Sequence, residues 1–208
     1  MKIGVIGSGN IGSSVGRKLA ELGHDVTISN SRGPQTLTET AKEIGATAGT
    51  VEEAIAGADL VVLAVPVKAV PALPLDKLAG TIVIDANNYY PTRDGVIDDL
   101  ELKRKTSARW TADQAPGAHV VKVFNSIYFQ HILDKGQPAG ADGRIALPVA
   151  ADNAAAKQIV SALVDGIGFD PVDGGTLDDS WRQEPGTPVY GTDLDRKGVE
   201  AGLAAAER

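Results

Sequence analysis

Lys2-Ile3-Gly4-Val5-Ile6-Gly7-Ser8-Gly9-Asn10-Ile11-Gly12 opens the chain as a short apolar run that breaks into glycines. The spacing is G-x-G-x-x-G, set after a predicted strand and at the head of a predicted helix. Each glycine has a physical task there. Gly7 allows a tight turn, Gly9 lets the backbone approach a pyrophosphate, and Gly12 lets the helix pack close to the strand. Free N–H groups near Asn10 and Ile11, at the start of the helix, are then available to an anion.

Outward from this turn, strand and helix patterns alternate. Ile11, Val15, Leu19 and Leu22 have helical spacing, and Gly23 supplies a stop. Asp25 to Ser29 reads as a strand. Pro34 suits the first turn of a helix reaching Ile44, with Gly45 at its end. Thr50-Val51-Glu52-Glu53 is a capping-box pattern opening a helix through Ile55. Leu60 to Val65, Thr81 to Ile84 and Val120 to Phe124 are continuous apolar runs, as expected of strands covered on both faces. Beyond them, Asp134 to Gly143 reads as a loop, Ile145 to Ala150 as a strand, Asn153 to Val164 as a helix, Phe169 to Val172 as a strand and Asp195 to Ala206 as a helix. The mixed charges of Asp98 to Arg109 read as a solvated face. The order predicts an α/β fold, a Rossmann-like, doubly wound, mostly parallel sheet with an elaborated C-terminal part. We take residues 1–208 as one unit, with a core of about 1–127 and an extension of about 128–208.

The 208 residues are 43% hydrophobic and 23% charged, enough to bury a core without metals or disulfides. A formal net charge of −7 gives no global attraction to nucleic acid or anionic membranes. The absence of cysteine excludes disulfides, thiolate metal sites and cysteine nucleophiles, and no metal site is expected. Neither a signal peptide nor a membrane-spanning run is read, so a cytoplasmic enzyme is expected.

The end of the second strand decides between nucleotides. It reads Ile28-Ser29-Asn30-Ser31-Arg32, with no carboxylate between Asp25 and Glu39. An NAD site usually places Asp or Glu there on the ribose 2′-hydroxyl. Arg32 and the Ser31 hydroxyl would instead attract a 2′-phosphate, which predicts NADP(H). In open parallel sheets ligands bind beyond the carboxyl ends of the strands, which nominates Ala64-Val65-Pro66, Asn87 and Asn125. Each asparagine reads equally well as a turn or helix cap. No acid–base apparatus stands out. Asn125, Ser126 and His131 are the weak catalytic candidates, His131 being the only histidine near the expected site. Trp181, Arg182 and Tyr190 either line a substrate pocket or anchor the C-terminal segment.

The chain resembles the F420-dependent NADP oxidoreductase family, whose Rossmann unit also occurs in the N-terminal domain of the STEAP metalloreductases. The carrying residues are Lys2 to Gly12, Ser31-Arg32, Ala64-Val65-Pro66, Val121 to Ile127, Pro148 to Asp152 and Gly168 to Gly175. The resemblance implies NADP(H) on Ser8 to Ile11, its 2′-phosphate on Ser31 and Arg32, and a nicotinamide near Asn125-Ser126-Ile127 beside a second ring, F420 or a flavin such as FMN or FAD. It also implies direct hydride transfer between the two, and a homodimer. Where relatives carry further basic residues after Arg32, this chain has Gly33-Pro34-Gln35-Thr36. Two other readings stand beside this one: a dehydrogenase or imine reductase acting on a small carbonyl or imine, and an NADP(H)-sensing module without turnover.

Overall fold

The computed structural model describes residues 1–208. The glycine turn lies between β1 (Lys2–Ile6) and α1 (Asn10–Glu21), as its sequence requires. Val15 and Leu19 of α1 are buried on the sheet, whereas Ile11 is only partly covered and Leu22 lies exposed just past the helix end. There follow β2 (Asp25–Ser29), a 3-10 turn at Pro34–Thr36, and α2 (Thr38–Ile44), which Gly45 ends in a left-handed conformation. Next come β3 (Thr47–Ala48) and α3 (Val51–Ile55), whose Thr50–Glu53 capping box is formed. β4 (Leu60–Leu63), β5 (Ile82–Asp85), the short helices α4 (Pro91–Asp94) and α5 (Asp98–Glu101), α6 (Ser107–Gln114) and β6 (His119–Lys122) complete the first part. The remainder is α7 (Phe129–Asp134), β7 (Ala146–Ala151), α8 (Ala154–Gly166), β8 (Asp170–Asp173), a 3-10 helix at Leu177–Gln183 and α9 (Arg196–Ala204).

The eight strands run in the order β3-β2-β1-β4-β5-β6-β7-β8. Every neighbouring pair is parallel except β6 and β7. The expected Rossmann-like α/β architecture is therefore present. The sequence of β4 shows why both faces are covered. Leu60 and Val62 enter the larger apolar cluster, while Val61 and Leu63 enter the one on the opposite face. A strand with apolar residues at every position can satisfy both layers.

The helix expected from Pro34 to Ile44 is instead split into the 3-10 turn at Pro34–Thr36 and α2, and several strand and helix ends differ from the sequence reading. β4 stops at Leu63, leaving Ala64 to Pro66 as irregular chain. β6 stops at Lys122 because Phe124 adopts φ 64°, a left-handed conformation costing a non-glycine residue about 1–2 kcal/mol. Its ring is 1% exposed, so burial offsets that cost. The charged segment Asp98–Arg109 is also not a uniformly solvated face. It forms α5 and the start of α6, and Arg109 reaches Asp152 at 2.8 Å and Asp178 at 2.7 Å. Those ion pairs bind α6 to the end of β7 and the C-terminal 3-10 helix.

The antiparallel join is narrow. Val121 faces Ala151 and Lys122 faces Ala150, so the overlap is confined to the carboxyl ends of the two strands. Parallel neighbours need a crossover, whereas antiparallel neighbours need only a return at one end. The chain between β6 and β7 holds only the short α7. Buried Arg144 secures this part, with Asp165 and Asp170 each 2.6 Å from its Nη1.

Asp85 and Lys122 are neighbours at the ends of β5 and β6, and both side chains are fully buried. Lys122 Nζ lies 3.5 Å from Asp85 Oδ1 and 3.0 Å from Ser107 Oγ, and it donates to the Asn87 carbonyl. Asp85 Oδ1 also accepts the Asn87 N–H at 2.8 Å. Removing one partner of such a pair leaves an uncompensated buried charge. Lys122→Met should therefore cost about 3–5 kcal/mol in urea unfolding. A loss below about 1 kcal/mol would contradict this account of the pair.

Candidate functional site

β1 lies between β2 and β4, so the strand order reverses there and a crevice opens beyond the carboxyl ends. A cavity of about 410 Å³ occupies that place. Its lining comes from four strand ends: Gly9, Asn10 and Ile11 after β1, Ala64, Val65 and Pro66 after β4, Asn87, Asn88 and Tyr90 after β5, and Asn125, Ile127 and Phe129 after β6. Tyr190 of the C-terminal segment closes one side.

The three glycines of the turn are explained differently by their surroundings. A Cβ added at Gly7 would lie 2.1 Å from the Ala64 carbonyl oxygen, and Gly7 has φ +111°. One added at Gly12 would lie 1.9 Å from the Gly7 carbonyl oxygen. Both are imposed by the packing of the chain on itself. A Cβ at Gly9 would meet nothing within 4 Å. No protein contact requires glycine there, but a ligand lying against the backbone would.

The start of α1 agrees. The first helical bond runs from Ser13 N–H to Gly9 O at 2.9 Å, so the N–H groups of Asn10, Ile11 and Gly12 have no acceptor within the helix. Gly9 provides no side-chain cap, and the first turn holds no acidic residue. This is an anion site by geometry and by the helix dipole.

A second unspent donor belongs to a residue of the same lining. Asn87 is 4% exposed, and its Oδ1 accepts the Val65 N–H at 2.8 Å. That bond fixes the amide orientation, because the backbone donor needs the oxygen. The Nδ2 group is then left buried with no partner in the protein. Such a group costs free energy unless a ligand accepts from it.

Asn125 is placed otherwise. It lines the cavity, but its amide is spent within the chain. Nδ2 donates to Asn88 Oδ1 at 3.0 Å and to the Gln183 carbonyl at 2.8 Å, while Oδ1 accepts from Gln183 Nε2 at 2.9 Å. Asn88 Nδ2 in turn donates to the Asn125 carbonyl at 2.7 Å. This amide clasp fixes the loops after β5 and β6 to the C-terminal segment. Ser126 is buried, and its carbonyl accepts the Gly191 N–H at 2.8 Å. His131 does not line the cavity. Its Nδ1 is 2.8 Å from Asp193 Oδ1 on the α7 side. Trp181 and Arg182 lie elsewhere, Arg182 pairing with Asp179 at 3.2 Å, so of that trio only Tyr190 joins the cavity.

Ser31 and Arg32 are exposed on the loop after β2. Asn30 connects this loop to the glycine turn, its Nδ2 donating to Ser8 Oγ at 3.3 Å and its Oδ1 accepting the Arg32 N–H at 2.9 Å. Every other arginine has a carboxylate or carbonyl partner. The Arg32 guanidinium has none.

Sequence reasoning missed Lys122, Arg93 and Gln183. A lysine inside the apolar run Val120 to Phe124 was the available signal for the first. Arg93 lies over the Tyr90 ring, 4.9 Å from its centroid, and donates to the Asn88 carbonyl at 2.6 Å. Burial opposes ionisation of Asp94, but the hydrogen bond from Arg93 and the Tyr90 N–H outweigh it and hold the carboxyl below its usual range.

The family of NADP oxidoreductases described as coenzyme F420-dependent matches residues 2–89. A solved Sinorhizobium meliloti protein, SMa0349, is 30% identical with a TM-score of 0.79, over 93% of this chain and 95% of that one. A proposed F420-dependent NADP-reductase from Arthrobacter sp. FB24 is 30% identical with a TM-score of 0.70, over 85% of this chain and 86% of that one. Metalloreductase STEAP3 of Rattus norvegicus is 30% identical over 180 residues, 85% of this chain and 34% of that protein. The chain spans less than half the length of the curated relatives it matches. No helix is long and apolar enough to cross a membrane.

Two predictions follow from the geometry. Gly12→Ala should lower stability by about 3 kcal/mol in thermal or urea melts, because backbone must move. Gly9→Ala should leave the melt nearly unchanged while weakening dinucleotide binding in calorimetry, and equal effects of the two would contradict the assignment. The depressed Asp94 pKa contributes stability that is fully present above the unfolded value near 4 and is lost as pH falls through the lower folded value. Asp94→Asn should flatten that acid limb of the stability profile.

Proposed function

This chain belongs to the coenzyme F420-dependent NADP oxidoreductase family, and from that premise we propose that it binds NADP(H) and transfers hydride between it and a flavin or deazaflavin ring. The observation that carries the reading is the pairing of an open Gly9 backbone and free α1 N–H groups with the unpartnered Asn87 Nδ2 across one cavity. In this reading the whole chain is one NADP-binding unit.

The roles of the chain follow from its donors. The Asn10, Ile11 and Gly12 N–H groups hold the pyrophosphate, with Ser8 beside them. Gly7 and Gly12 keep that cradle in shape. The free Arg32 guanidinium, with the Ser31 hydroxyl, takes the 2′-phosphate as a planar fork of donors. Ala64, Val65 and Pro66 line the path between the two ends, and Asn87 Nδ2 donates to a ribose or carboxamide oxygen. NADPH supplies the hydride, so the protein's work is alignment of two rings and exclusion of water. Asn125 and Ser126 hold the facing loop through the amide clasp and the Gly191 bond.

A small carbonyl or imine acceptor is the second reading. The Tyr90 and Tyr190 hydroxyls in the cavity fit it as well, since a carbonyl or imine takes up a proton with the hydride just as a ring nitrogen of the first reading does. Self-association as a homodimer, in the cytoplasm, completes the proposal.

Titration of NADPH and NADH into wild type and Arg32→Ala tests the nucleotide. Charged hydrogen bonds of about 1.5–3 kcal/mol correspond to a loss of about tenfold or more in NADPH affinity, with NADH unaffected. Tighter NADH than NADPH binding in the wild type would overturn the assignment. Supplying F420, FMN or FAD with NADPH then tests the acceptor. Tight NADPH binding without oxidation by any of them would remove the ring acceptor and leave a carbonyl or imine, or a sensing module.

A further inference from the structure

We propose that Tyr90 and Tyr190 form a proton-delivering pair at the acceptor end of the cavity. The second substrate is then a molecule that takes hydride on one atom and a proton on a conjugated nitrogen or oxygen. This rests on the reading that a dihydronicotinamide occupies the same cavity.

The two rings come from positions a hundred residues apart and both line the cavity. Their hydroxyls are hydrogen-bonded to each other, and neither has another partner in the chain. A phenol hydroxyl carries one hydrogen, so a single bond between two of them consumes one and leaves one. One O–H of the pair is therefore left without an acceptor in the chain, on two residues that line the cavity.

No competing acid is present there. The lining contains no Asp, Glu, His, Lys or Cys. Arg93 cannot give up a proton. Tyr128 is 51% exposed at the edge, its ring against Phe129 and His131. Burial, and then the bond from Tyr90, push the Tyr190 hydroxyl pKa upward, so it keeps its proton through neutral pH. The Arg93 guanidinium, 4.9 Å from the Tyr90 ring centroid, opposes that rise through its positive charge.

The step balances as follows. Hydride from the dihydronicotinamide forms a new bond at the electrophilic atom of the acceptor, and the acceptor's double-bond pair moves to the conjugated nitrogen or oxygen. That atom bonds the proton as the free tyrosine O–H breaks, leaving a phenolate. The phenolate recovers a proton from water through the second hydroxyl. The acceptor gains two electrons, one hydride and one proton, and the nicotinamide is oxidised.

Tyr90→Phe and Tyr190→Phe test the pair, with Tyr89→Phe as a control. Tyr89 bonds Glu101 and the Gly95 carbonyl, outside the cavity lining. Calorimetry with NADPH comes first. Absence of binding to wild type would sink the cofactor reading itself, whereas unchanged affinity in both cavity variants isolates the pair. Next, FMN and F420 are titrated into the NADP⁺-loaded proteins. Loss of the free donor should weaken binding of the accepted ring about tenfold in at least one cavity variant and not in Tyr89→Phe. Single-turnover oxidation of NADPH should slow by about a hundredfold or more in the same variant, and the wild-type solvent deuterium isotope effect should disappear. Wild-type ring affinity, rate and solvent isotope effect in both variants would overturn the proposal and leave the pair as a brace for the C-terminal segment.

Discussion

An ammonium group with no access to water lies where β5 and β6 end, and the arrangement of the cavity depends on how it is satisfied. Lys122 takes Asp85 as counter-ion and the Asn87 carbonyl and Ser107 hydroxyl as acceptors. Burying such a charge is tolerable only when its donors are met together. Meeting them fixes the turn after β5, and with it the side chain of Asn87. Ser107 passes the constraint on to Glu184, which accepts from both its N–H and its hydroxyl at 2.7 Å. One buried cation thereby sets the position of the cavity floor and of the segment that leads to Tyr190.

The amide clasp of Asn88, Asn125 and Gln183 performs the same service in uncharged form. Gln183 Nε2 also donates to the Pro148 carbonyl at 3.1 Å, so the clasp includes β7. Three loops that would otherwise move independently are joined where two substrates would have to meet. Rigid support of this kind reduces the ordering cost of binding and favours alignment of reacting groups.

Much of this was readable in the sequence, and the reason is locality. The glycine turn, the Thr50 capping box, the Gly45 stop and the apolar strands are each decided within a few residues, and each is found near its expected place. The placement of Asn87 and Asn125 at strand ends was equally legible. What each amide does was not, because Val65 and Gln183 determine it from far along the chain. Tyr90 and Tyr190 were visible as residues, but their contact is made only after folding. The reversal of β7 was hidden because an apolar strand pattern carries no direction. The left-handed Phe124 was hidden because a buried aromatic gives no local hint of a positive φ.

The two outer strands also limit how molecules of this protein can meet. β3 is two residues long, and β8 carries Pro171 between Asp170 and Val172, with Asp173 at its end. A proline removes an amide donor, and carboxylates repel an identical neighbour. Both borders are therefore poor templates for a further strand from a second copy. Such margins disfavour edge-to-edge addition of further copies and guard the chain against runaway fibre growth.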